Sequence, residues 1–158
     1  MSTLNLPETG SLAPDFATVN QNGAPVALND YRGKKVVLYF YPKAMTPGCT
    51  TQACGLRDSK AELEKRNAVA LGISPDAPGR LTKFIEKESL NFDLLSDEDH
   101  SIADLYGVWG LKKFMGREFD GIHRITFIID EQGKMANVME KVKTKSHHDD
   151  VLGALDGL

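Results

Sequence analysis

The run KVVLYFY, residues 35–41, decides how this chain folds. It is continuous, apolar, β-branched and aromatic after its first residue, too short for a buried helix, and it stops at Pro42, which cannot continue a ladder. Such a run is a strand covered on both faces, the centre of a largely parallel sheet. Two more core strands follow, AVALGIS at 68–74, cut off by Pro75, and IHRITFIID at 122–130. Between the first two, Ala53, Leu56 and Leu63 recur among charges as the stripe of an amphipathic helix running from Thr46 to about Arg66. Leu81, Phe84 and Ile85 mark a second helix, and Phe92–Leu95 a brief strand. Ser96–Tyr106 opens like a capped helix, with Leu105 and Tyr106 facing inward and Gly107 ending it. Gly110–Gly121 reads as a loop, and residues 131–134 turn the third core strand into another at Met135–Glu140. Ser146 with Asp149 resembles a capping box for a last helix. Upstream, Asp15–Val19 and Pro25–Leu28 flank a turn at Asn20–Gly23 and predict a short hairpin after a loop over residues 1–14.

Strands alternating with helices predict parallel pairing, and the late strand pair adds an antiparallel edge. The expectation is an α/β, three-layer α/β/α sandwich with a central mixed sheet and an N-terminal β-hairpin, compatible with the thioredoxin-like class. At 158 residues, with 41% hydrophobic and 26% charged residues, one domain over 1–158 with a real core is expected and wholesale disorder is excluded. Nineteen basic against 22 acidic side chains give a net charge of −3, which argues against a general partner of nucleic acid or acidic membranes. No apolar run approaches the ~18 residues of a membrane span. The N-terminus carries neither a basic nor an apolar leader pattern, and two cysteines cannot form a secreted disulfide framework. The expected location is the cytoplasm.

The segment richest in chemistry is YPKAMTPGCTTQAC, residues 41–54, directly after the most buried strand, where open α/β sheets place their ligand sites. Thr46 can cap the following helix, Pro47 suits its first position, and Gly48 and Cys49 fall in its first turn. Unpaired N–H groups and the positive end of the helix dipole then face the Cys49 thiol. A free thiol with a pKa near ~8.5 is only a few per cent thiolate at neutral pH. Lowering that by about two units takes roughly 2.7 kcal/mol, and a helix dipole supplies about 0.3–1 kcal/mol. A reactive Cys49 therefore needs a second positive group, best an arginine, which stays charged and forks two donors. Arg57, eight residues along the same helix, is a poor candidate for it. Sequence order does not say which arginine serves. The four histidines, His100, His123, His147 and His148, read as surface or hydrogen-bonded structural residues. Trp109 and Phe114 read first as packing residues and second as the wall of a substrate pocket.

Pro42, Thr46 and Cys49 reproduce the P-x-x-x-T-x-x-C signature of the peroxiredoxins, and a second cysteine five residues later resembles the peroxiredoxin Q (bacterioferritin comigratory protein) subgroup. The likeness extends through APDF, FYPKAMTPGCTTQACGLRD, LGIS, LLSDEDH, YGVWG and GIHRITFIID, nearly the whole chain. The resemblance implies that Cys49 is the peroxidatic cysteine attacking hydrogen peroxide or an alkyl hydroperoxide. Thr46 would hydrogen-bond peroxide and thiolate, Pro42 would shield the sulfenate from water, and the family's strand-borne arginine matches Arg124. Cys54 would be the resolving cysteine that forms an intramolecular disulfide with Cys49. The implied reductant is thioredoxin, with glutaredoxin as a second candidate; no metal or organic cofactor is implied, and the subgroup suggests a monomer.

Two other classes stand beside this one: a disulfide oxidoreductase or holdase acting on proteins, and a zinc module using both cysteines and histidines. The C-x4-C spacing differs from the C-x-x-C redox motif and from usual zinc-ligand pairs. If residues 47–60 form one regular helix, Cys49 and Cys54 are separated by about 7.5 Å of rise and about 140° of rotation, putting their Cα atoms roughly 8.7 Å apart. That exceeds the ~7 Å a disulfide spans without backbone movement. The pairing that the resemblance implies therefore requires the first turns to unwind, with Leu56 and Leu63 anchoring the later part of the helix.

Overall fold

The computed structural model describes residues 4–158; of the loop expected over 1–14, residues 1–3 lie outside the described residues. The strands β1 (Ala17–Asn20) and β2 (Pro25–Ala27) form the expected N-terminal hairpin. The apolar run that ends at Pro42 supplies β3 (Lys35–Phe40), and β4 (Ala68–Ser74) pairs with it in parallel, Val36 opposite Val69 through Phe40 opposite Ile73. The short β5 (Leu94–Ser96) extends the parallel set beyond β4. On the other side, β8 (Thr126–Ile129) runs antiparallel to β3 and β9 (Met135–Met139) antiparallel to β8. The sheet is mixed, in the order β2-β1-β5-β4-β3-β8-β9.

The period of two along β3 sorts its side chains into two cores. Val36, Leu38 and Phe40 join Leu71, Ile73, Phe127 and Ile129 on one face, under the short helix α4 (Ser101–Leu105) and the chain from Ala13 to Phe16. Val37, Tyr39 and Tyr41 join Ala70, Leu94 and Ile128 on the other. That second face is covered by α1 (Pro47–Asp58), α2 (Lys60–Lys65), α3 (Pro78–Glu88) and α5 (His147–Asp156). Gly72 permits the tight layer at the middle of β4, since a Cβ there would lie 2.8 Å from both the Tyr39 ring and Leu94. The three-layer expectation holds. Among the described residues no helix is long and apolar enough to cross a membrane.

Five local expectations need correction. The helix predicted from 46 to 66 breaks at Ser59, whose hydroxyl donates back to the Gly55 carbonyl at 2.9 Å, a bond that competes with regular helix continuation. The predicted loop at 110–121 is a two-stranded hairpin, β6 (Trp109–Phe114) and β7 (Arg117–Ile122), apart from the main sheet. Its two-residue turn places Met115 and Gly116 both at positive φ, 51° and 77°, as a tight hairpin turn requires, with methionine where asparagine or glycine is the usual signal. The third core strand consequently begins only at Thr126, after a connector at 123–125. The helix foreseen at 96–106 is reduced to α4: Tyr106 is buried as expected, but Leu105 faces solvent. Finally, Ser146 stands at the start of α5 without capping it, because its hydroxyl bonds the Asp150 carboxylate instead.

Candidate active site

Proline sets the place where α1 begins. Pro47 occupies the first helical turn, where its missing N–H costs nothing, and Thr46 precedes it in extended conformation. Thr46 does not cap the helix with its side chain, contrary to the sequence expectation. Its hydroxyl donates to the Lys43 carbonyl at 2.8 Å, which leaves the oxygen's lone pairs as acceptors. Cys49 follows as the third helical residue and is 1% exposed. Its thiol is packed in the second core, in the same cluster as Tyr39 and Tyr41, whose rings stack 5.4 Å apart.

The loop between Pro42 and Thr46 is held in a costly conformation. Met45 takes φ 67°, which for a residue with a side chain persists only where the surroundings impose it. The surroundings here are one ion pair at the start of α3. Asp76 accepts the Ala44 N–H at 2.8 Å and pairs with Arg80 at 3.1 Å, and Arg80 donates to the Ala44 carbonyl at 2.9 Å. Both backbone groups of Ala44 are thereby fixed. Nothing in the motif signalled Asp76 or Arg80.

The second positive group required by the thiolate argument is Arg124. It lies in the connector between β7 and β8 rather than within a strand, and its Nη2 donates to Cys49 Sγ at 3.3 Å. Its Nη1 donates to Gln52 Oε1 at 2.6 Å. Gln52, one turn beyond Cys49, is fully buried and contacts His147 Nδ1 through Nε2 at 3.3 Å, while His147 Nε2 meets Thr126 Oγ1 at 2.8 Å. Arginine has no acceptor, so the directions in this chain are determined. Gln52 must turn its carbonyl to Arg124 and its amide N–H to His147, whose Nδ1 must accept, leaving Nε2–H to donate to Thr126. His147 is therefore neutral, and burial pushes its imidazole down to about 4 from an ordinary 6.5, with Arg124 and His148 acting the same way against the opposing Asp150.

Lys112 on β6 adds a second nearby cation. Its Nζ donates to the Ile122 carbonyl at 2.7 Å, two residues before Arg124, and burial lowers its pKa, helped by the Arg124 charge and opposed by Cys49. The connector is pinned further by His123, whose N–H donates to Val108 and whose ring bonds the Leu111 carbonyl at 3.1 Å. A cleft of about 430 Å³ opens beside Arg124, bordered by Leu4, His123, Ile125, Glu140 and Lys141. Trp109, which the sequence offered second as a pocket wall, stacks on His100 at 3.8 Å and is not among the described residues bordering that cleft, and the Phe114 side chain lies outside the described residues.

Both cysteines are free thiols on one continuous helix. They face different neighbours: Cys49 faces Arg124, whereas Cys54 is half-buried against α3, its Sγ 3.8 Å from Glu88 Oε1. Burial and the Glu88 carboxylate raise the Cys54 pKa, against the pull of Arg57. Arg57 itself serves α1 and α3, donating to Asp58 at 2.9 Å and to the Glu88 carbonyl at 2.6 Å. Pro42 is partly buried at the exit of β3. Among the described residues no group of three or more His, Cys, Asp or Glu could hold a metal ion, so a zinc module finds no ligand set there.

Residues 9–138 match the AhpC/TSA family. The chain is 58% identical over 155 residues to a putative peroxiredoxin bcp of Haemophilus influenzae, covering 98% of this chain and 100% of that one. It is 55% identical over 152 residues to peroxiredoxin Bcp of Escherichia coli, covering 96% and 97%. The chain belongs to the AhpC/TSA family. It is a peroxiredoxin of the Bcp, or Q, kind, a thiol-dependent peroxidase with a thioredoxin-like fold. A Xanthomonas campestris bacterioferritin comigratory protein, whose structure is described for its alkyl peroxide reduction activity, superimposes with TM-score 0.85 at 32% identity, over 99% of this chain and 98% of that one.

The buried neutral imidazole gives this peroxiredoxin an acid-sensitive core. Unfolded His147 takes up a proton below about 6.5 while the folded one resists to about 4, so its contribution is intact above the first value and lost as pH falls toward the second. Between pH 7.5 and 5.0 that loss is on the order of 2 kcal/mol. Urea unfolding at the two pH values should show a clearly smaller acid penalty in His147→Asn than in the parent; equal penalties would contradict the reading.

Proposed function

We propose that this peroxiredoxin reduces hydrogen peroxide and alkyl hydroperoxides at Cys49, through a sulfenic acid and then a disulfide with Cys54. The observation that carries the reading is the Arg124 Nη2 donor at 3.3 Å from a buried thiol at a helix N-terminus. The Cys49 thiolate attacks the terminal oxygen of R–O–O–H, an electron pair of sulfur forms the S–O bond, and the O–O bond breaks. The leaving alkoxide or hydroxide takes up a proton as alcohol or water, and Cys49 is left as sulfenic acid. Arg124 stabilises the thiolate and the charge that develops on the departing oxygen, and the Thr46 oxygen accepts the peroxide O–H. Pro42 restricts water at the nascent sulfenate. The Cys54 thiolate then attacks Cys49 Sγ, the S–O bond breaks, and hydroxide departs as water with its proton.

A dithiol protein, thioredoxin or in its place glutaredoxin, returns both cysteines to thiols by exchange. The chain works as a monomer of one domain, residues 1–158, in the cytoplasm, where a reducing poise sustains such cycling. The disulfide oxidoreductase reading is disfavoured by the burial of Cys49, which a protein substrate could not reach without opening α1.

In stopped-flow measurements Cys49→Ser should abolish peroxide consumption, because a serine hydroxyl is a far weaker nucleophile than a thiolate. Cys54→Ser should consume about one equivalent and stop, leaving a sulfenic acid that dimedone traps. Near-normal turnover by the first variant, or loss of the first step in the second, contradicts the assignment.

Motion follows from the same geometry. With both cysteines on one helix facing opposite neighbours, disulfide formation requires α1 to unwind between about Thr46 and Arg57. Hydrogen exchange should be slow there in the reduced protein and fast in the disulfide form. Equal protection in both forms, with the intramolecular disulfide confirmed by mass, would rule the unwinding out.

A further inference from the structure

Gln52 can lie in its pocket in two ways, related by a flip of its amide. Only one of them puts the carbonyl on Arg124; the other aims an NH2 at a guanidinium that can only donate. The flip is therefore a choice between holding Arg124 and repelling it. Among the described residues the Gln52 amide has two polar side-chain neighbours, Arg124 at 2.6 Å and His147 Nδ1 at 3.3 Å. His147 thus stands at the far end of the amide from Arg124, fully buried, fixed on its other side by Thr126 at 2.8 Å and flanked by the Tyr39 ring at 5.8 Å.

We propose that His147 is a positioning residue for the peroxidatic centre: by accepting the Gln52 amide N–H at Nδ1, it keeps the Gln52 carbonyl on Arg124 and so keeps the guanidinium on Cys49 sulfur. The inference rests on the reading of Cys49 as the nucleophile, and it assigns a role to α5, an element that contributes no residue of the sequence motif. It also explains why a polar ring occupies a fully enclosed position between α1, β8 and the sheet. Hydrogen bonds to charged groups are among the strongest a fold makes, so loosening one in Arg124 is large enough to be read in kinetics. The acid form of His147 would carry N–H on both ring nitrogens and force the wrong flip. Its burial, together with Arg124 and His148 nearby and despite Asp150, keeps that form away at neutral pH.

The test reads Cys49 directly. Iodoacetamide labelling of Cys49, located by mass spectrometry in a Cys54→Ser background at pH 7, reports the thiol's nucleophilicity whether or not peroxide is its substrate. Peroxide consumption is measured beside it, and Cys49→Ser separately decides whether Cys49 is the nucleophile at all. His147→Leu should slow both reactions by about tenfold or more, whereas His147→Asn, whose Oδ1 can stand where Nδ1 stood, should stay within about threefold of the parent. In a Gln52→Glu background a carboxylate presents an acceptor to Arg124 whichever way it turns, so adding His147→Leu should cost less than about twofold. Equal losses in the Leu and Asn variants, or the same loss in both backgrounds, would reduce His147 to a packing residue and overturn the proposal. Should His147→Leu fail to fold, nitrogen-15 NMR of the reduced parent decides: a proton on Nε2 with Nδ1 accepting supports the proposal, and the opposite tautomer overturns it.

Discussion

One guanidinium ties the reactive end of α1 to the sheet. Arg124 reaches from the β7–β8 connector with one nitrogen on Cys49 Sγ and another on Gln52. Those two residues are one turn apart on a single helix face, so the fork fixes the helix as well as the thiol. A helix dipole alone is a weak source of positive potential; Arg124 places a permanently charged donor on the same sulfur, and Lys112 adds a second cation whose own bond to the Ile122 carbonyl stiffens the approach to Arg124. As a consequence, any rearrangement of Cys49 must first release this fork.

The proposed disulfide with Cys54 demands that release. Cys54 looks the other way along α1, toward Glu88 on α3, and Arg57 bonds the Glu88 carbonyl just beyond it. The helix is thus held at its start by Arg124 and at its end by Arg57, with Ala53 and Leu56 buried between. Close contact with α5 adds to this: Gly55 carries no Cβ because one would meet His148 Nδ1 at 2.4 Å. In the proposed cycle the stability of the reduced helix and the ease of its unwinding are opposed, and the break at Ser59 separates α1 from α2, which Leu63 anchors.

Much of this was legible before any coordinate. Long apolar runs and the proline stops revealed where the core strands lie along the chain, because burial on both faces leaves a signal that few other arrangements share. The position of Pro47 and Cys49 at a helix start followed from backbone chemistry alone, and the need for an arginine followed from arithmetic on the thiol. Long-range partners stayed hidden. Gln52, Asp76, Arg80 and His147 are common polar residues whose function depends on what lies across the fold, Gln52 and His147 being 95 positions apart. The β6–β7 hairpin escaped because Met115 occupies a left-handed turn position usually marked by glycine or asparagine. Thr46 did stand at the helix boundary, yet its hydroxyl turned back to Lys43, a choice between two equally local acceptors that spacing does not decide.

If a forked, permanently charged group on Cys49 makes the thiol reactive, then replacing that group by a point charge must slow the chemistry even though the charge is kept. Stopped-flow peroxide reduction by Arg124→Lys, compared with Arg57→Lys, separates geometry from charge, since both variants conserve net charge. A loss of about tenfold or more is expected for Arg124→Lys and less than about twofold for Arg57→Lys in the peroxide-consuming step. Equal losses in the two, or an undiminished rate in Arg124→Lys, would contradict the role assigned to the fork.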